Sequence, residues 1–128
     1  MTTQLPVEWK QFINKEELEY LDLLINPEFI TIEGLIIIKA HYDAEKFIGS
    51  WQAIIRENPN EIQKIENTIN HVHLGDFTDD LELQKKIGEY IKNVWIDKLK
   101  IQFPKTSFLI RSTKDLDEWE LELYQESI

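Results

Sequence analysis

The chain has 128 residues, 42% of them apolar, with a formal net charge of −10 and no cysteine. This length fits one domain over residues 1–128 with a self-sufficient core. The apolar content excludes a disordered chain, the lack of cysteine excludes disulfides and thiolate metal sites, and the acidity disfavours nucleic acid and anionic membranes.

The charge is unevenly placed. Residues 1–26 carry −3, residues 27–114 only −1, and residues 115–128 carry −6 with no base at all. Met1 to Pro6 lack the basic and apolar regions of a signal peptide. The longest apolar run, Leu35 to Ile38, is too short to cross a bilayer. Together these features predict a soluble, cytoplasmic protein.

Pro6 suits the first turn of a short helix, Val7 to Ile13, with Trp9, Phe12 and Ile13 on its apolar side. Asn14 reads as a fresh N-cap with Glu17 at the third position, opening a helix over Lys15 to Ile25. Asn26-Pro27 stops it. Phe29 to His41 is rich in isoleucine, which suits a pleated, half-buried strand. Glu33-Gly34 divides that run, predicting a hairpin of Phe29–Ile32 with Leu35–His41. Asp43 caps a helix over Ala44 to Glu57, and Asn58-Pro59-Asn60 breaks it. Asn60 then caps a shorter helix, Glu61 to Thr68. Asn70 to Phe77 reads as a strand with Gly75-Asp76 as its exit.

The clearest helix is Asp79 to Phe103. Leu83, Ile87, Tyr90, Ile91, Val94, Trp95, Leu99 and Phe103 form one stripe at three-and-four spacing. Asp79 reads as its N-cap with Glu82 closing a capping box, and Pro104 ends it. Strands follow at Ser107–Ser112 and Leu116–Gln125, joined by a turn at Thr113-Lys114-Asp115. The order α, α, β, β, α, α, β, α, β, β predicts an α+β two-layer domain. Its sheet would be mixed, with four or five strands and helices mainly on one face.

Period-two alternation sorts the strand side chains into faces. Ile36 and Ile38 oppose Leu35, Ile37, Lys39 and His41. Val72 and Leu74 oppose His71 and His73. Phe108 and Ile110 oppose Leu109 and Arg111. Trp119, Leu121 and Leu123 oppose Glu118, Glu120 and Glu122. If helices cover the apolar face, the other gathers Lys39, His41, His71, His73, Arg111 and three glutamates. A solvated face or a charged, aggregation-resistant edge explains the same pattern.

Chemistry-bearing motifs are few. Four glycines stand apart at 34, 49, 75 and 88, so no phosphate loop exists. No nucleophile elbow appears, and Ser50 falls mid-helix. Gly49 and Gly88 fall inside predicted helices, where they permit close helix–sheet approach. His71-x-His73 can offer two imidazoles to one ion, zinc for instance, with His41, Asp76, Asp79 or Glu120 as third ligand. Without metal, a histidine beside a carboxylate can serve as general base. Helix capping accounts for Asp79 and Asp80 without any ion.

Two functions follow. The first is a non-catalytic acidic binding module, like an inhibitor or immunity protein, docking a basic protein partner through Asp117, Glu118, Glu120 and Glu122 and needing no cofactor. The second is a small zinc-dependent or histidine-based enzyme centred on His71 and His73, with His41 nearby. A two-fold homodimer joined through the polar face or a sheet edge is a third arrangement that the pattern allows.

Overall fold

The structure is a computed structural model and describes residues 4–127. Met1 to Thr3, which open the segment judged unlike a signal peptide, lie outside it, as does Ile128.

The fold is α+β. A 3-10 turn at Val7–Gln11 leads to α1, Lys15–Ile25, which starts where Asn14 Oδ1 accepts from Glu17 N at 2.9 Å. The hairpin of β1, Phe29–Ile32, and β2, Leu35–Ile38, turns through Glu33 and Gly34. Both turn residues have positive φ, 52° and 85°, as a type I′ turn requires. Strand β2 ends with its apolar run at Ile38, short of the expected end at His41, and the chain leaves it through a 3-10 turn at Lys39–His41. Helical segment α2, residues 44–57, begins at the Asp43 cap and contains a π-turn at Phe47–Trp51. A 3-10 turn at Pro59–Glu61 takes in Asn60, the expected cap, and feeds α3, Ile62–Asn70, which has no side-chain cap. Strand β3 is only Val72–His73, and a 3-10 turn at Leu74–Asp76 takes the rest of the predicted strand.

Helix α4, Leu81–Gln102, is capped by Asp80 rather than Asp79: Asp80 Oδ1 accepts from Glu82 N and Leu83 N. Strands β4, Phe108–Lys114, and β5, Trp119–Gln125, follow. Their turn sits two residues later than predicted, closed by Asp115 N donating to Glu118 O. No helix among the described residues is long and apolar enough to cross a membrane.

The five strands do not form one mixed sheet. They divide into the hairpin and a three-stranded sheet ordered β3-β5-β4, and every pair is antiparallel. The reason is α3. Gln63, Glu66, Asn67 and Asn70 form a polar stripe on that helix, and it lies between the outer edge of β2 and the open edge of β5. Glu66 accepts from Ile36 N at 2.8 Å and from Gln125 N at 2.5 Å. Asn70 accepts from Ile38 N and donates to Ile36 O and Leu123 O. Asn67 accepts from Leu123 N, and Gln63 donates to Gln125 O. Side chains thus replace the missing ladder, because strand-edge amides buried without partners are costly.

Strand β2 is buried on both sides. Ile36 and Ile38 join the main core with Leu21, Leu24, Val72, Ile87, Ile91, Trp95 and Leu121. Leu35 and Ile37 face a second cluster with Phe47, Ile55 and Ile65. In the main core, Trp95 donates its indole N–H to Leu24 O at 2.8 Å, which satisfies its polar atom in a buried setting. Helix α4 rests on the inner face of the three-stranded sheet. Gly88 permits this: a Cβ there would come within 2.7 Å of Leu74 Cδ1 and 3.0 Å of Ser112 Oγ. Gly49 plays no such part, since nothing lies within 4 Å of a Cβ built there. Phe12 at the N-terminal turn is exposed, not packed as its spacing suggested.

Candidate functional site

The outer face of the three-stranded sheet gathers most of the polar strand residues. Helix α3 ends at Asn70, and His71 is already extended at φ −62°, ψ 137°. The chain therefore passes from helix to strand with no loop. Val72 pairs with Leu121 and points into the core, so His71 and His73 point outward. His73 lies opposite Glu120, and Arg111 opposite Glu122, all on the face that the alternation assigns them.

His71, His73 and Glu120 each place a ligand atom within 4.8 Å of the other two. His71 Nε2 lies 3.3 Å from Glu120 Oε2, and His73 Nδ1 lies 3.1 Å from Glu120 Oε1. The two imidazole centroids are 4.8 Å apart with planes inclined at 66°. Glu118 flanks this group: its Oε1 is 2.7 Å from His73 Nδ1, and its Oε2 accepts from Gly75 N at 3.0 Å. Gly75 lets the carboxylate lie against the backbone, because a Cβ there would meet Oε2 at 2.3 Å.

Partial burial alone would lower the pKa of His73. The bond to Glu118 and the charges of Glu118, Glu120 and Asp76 outweigh it and hold His73 above its ordinary value. A cation is favoured at this position, whether a proton or a metal. An ion bound to nitrogen and oxygen at about 2.0–2.1 Å in tetrahedral geometry separates its ligands by about 3.3 Å. The two imidazole–carboxylate distances, each to a different oxygen of Glu120, lie near that spacing, and the three ligand atoms fall within 4.8 Å of one another. Metal entry would displace the proton shared by His73 and its carboxylates.

His41 does not join this cluster. It sits in the 3-10 turn after β2, where Nδ1–H donates to Ile69 O at 2.6 Å and Nε2 accepts from the Tyr20 hydroxyl. Both nitrogens are used. Burial pushes the pKa of His41 down, against the opposing bond to Ile69. Tyr20, raised to about 12 by burial and then by Asp76 and Glu17, stays a hydroxyl donor. Lys39 turns away to pair with Glu28 at 3.1 Å. Asp76 and Asp79 are exposed, and neither is part of the three-residue group.

The carboxylates of the acidic strand are largely partnered in place. Glu118 and Glu120 are bound to the histidines, and Glu122 pairs with Arg111 at 2.5 Å. Of the four acids expected to dock a partner, Asp117 alone is fully exposed, in the β4–β5 turn. Glu66 and Asn70 went unrecognised in the sequence. The available signal was the spacing 63, 66, 67, 70, a polar stripe at helical repeat beside Ile62, Ile65 and Ile69.

Comparison of the chain with protein-family models, with curated proteins and with solved structures gave no match.

Proposed function

We propose that this chain is a small metal-dependent protein that binds one divalent transition ion, best matched by zinc, through His71, His73 and Glu120. The observation that carries this reading is the convergence of two imidazoles and one carboxylate at metal-ligand spacing on a sheet face. Two nitrogens and one oxygen suit zinc, and three protein ligands leave a coordination position open. An ion with an open position can acidify a bound water or polarise a carbonyl. Glu118 bonds the same His73 Nδ1, so an ion bound there replaces that hydrogen bond and leaves the Glu118 carboxylate beside the site.

Native mass spectrometry of the zinc-loaded protein, before and after EDTA, tests this. One ion per chain is expected, released by chelation and absent from the His71→Ala/His73→Ala double variant. A bare polypeptide mass at micromolar zinc removes the reading.

A second reading, a non-catalytic acidic module that docks a basic protein, is favoured by one surface feature. Leu116 is 92% exposed at the β4–β5 turn, between the exposed carboxylates Asp115 and Asp117. An apolar tip ringed by acids suits a basic partner with an apolar socket. A basic protein that captures the chain should associate more slowly as salt rises, and more slowly still with Asp115→Lys and Asp117→Lys. An association rate indifferent to both ends this second reading.

A further inference from the structure

A cleft of about 340 Å³ opens beside His71, lined by His41, Tyr42, Lys46, Phe47, Trp51 and His71 among others. Its volume lies at the small end of the range for ligand sites. Three features give it a chemical character. The π-turn at Phe47–Trp51 places both aromatic residues on its wall, and π-turns inside helices often mark functional positions. Lys46 lines the same cleft and forms no ion pair among the described residues. Asp43, the acid on the rim, is engaged in capping, accepting from Lys46 N at 3.1 Å.

We propose that this cleft binds a small aromatic carboxylate, with its ring among Tyr42, Phe47 and Trp51 and its carboxylate at Lys46. An aromatic wall takes a flat apolar body, and an unpaired ammonium at its edge selects an anionic head. His41 adds a wall and no ligand atom, because both its nitrogens are already bonded. His71 is common to the cleft and to the metal-ligand group. An occupant of the cleft therefore touches a residue that would hold the ion, and this last link rests on the metal reading above.

The test uses benzoate and its neutral analogue benzamide as probes, read by the indole resonance of Trp51 in NMR spectra. That resonance is assigned with Trp51→Phe, and titrations are run on EDTA-treated and on zinc-loaded protein. Benzoate should saturate the Trp51 shift in the EDTA-treated protein and bind about tenfold more tightly than benzamide. Lys46→Met should abolish that preference while leaving benzamide affinity unchanged, a pattern that misfolding would not produce. Benzoate should bind more tightly still to zinc-loaded protein. No saturable Trp51 shift with benzoate overturns the cleft assignment, as does an unchanged preference in Lys46→Met. Equal benzoate affinity with and without bound zinc overturns the link to the ion. A chain that fails to hold zinc would remove the metal reading, while the EDTA-treated titration still decides the cleft.

Discussion

Two polar clusters flank Asn70-His71, and they do opposite work with the same residue type. On one side, Glu66 is wholly buried and receives three N–H donors: Ile36 N, Gln125 N and the Gln125 side chain. On the other, Glu120 faces outward and is shared between His71 and His73. Burial raises the pKa of Glu66, and the three donors only partly offset it. Its donors are amides that cannot titrate or leave, so it serves as a fixed joint between two strand edges. The partners of Glu120 are imidazoles that exchange protons and can accept a metal in their place. A carboxylate's function is set by whether its partners can leave, and charge alone does not reveal it.

The largest effect that tests that contrast comes from removing the two carboxylates in turn. Glu66→Ala strands three buried donors at about 1–3 kcal/mol each, so a loss of at least about 3 kcal/mol is expected in urea unfolding. Glu120→Gln should cost under about 1 kcal/mol, since its partners remain close to water, yet it should remove zinc retention. Comparable destabilisation by both substitutions would erase the distinction between joint and site.

A smaller effect separates His41 from the outer pair. Its folded pKa lies below the ordinary value, so its contribution is present above about pH 6.5. That contribution is lost as pH falls through the folded pKa, because the unfolded chain takes up the proton first. In metal-free protein, wild type should lose melting temperature between pH 7 and pH 5 by a component that His41→Asn lacks. Parallel curves for the two proteins would show that His41 is not held neutral by Tyr20 and Ile69.

Much of the outer face is legible in the strand sequences. Alternation sets Val72 and Leu121 on the inner side and His73, Glu120, Arg111 and Glu122 on the outer, because a one-residue slip would turn apolar side chains out of the core; which of them pair across the sheet came from the tertiary structure. The long helix is legible for a related reason. Its stripe recurs over six turns, and at its start only the cap differs, Asp80 in place of Asp79. Gly88 meets the expectation of close approach and Gly49 does not, since the π-turn holding Gly49 faces open space.

Local periodicity and backbone sterics suffice for the helices, for the hairpin turn at Glu33-Gly34 and for the outward direction of His71 and His73. Long-range packing was needed to part the strands into two sheets around α3, to bury Glu66, and to bond His41 to Tyr20 and Ile69 instead of leaving it to the cluster. Those outcomes depend on contacts between residues 21 to 62 positions apart, such as Tyr20 with His41 and Gln63 with Gln125. The polar stripe at 63, 66, 67 and 70 is local, but no local pattern says what it joins, because the cost of an unpartnered strand edge exists only once the strands are brought together.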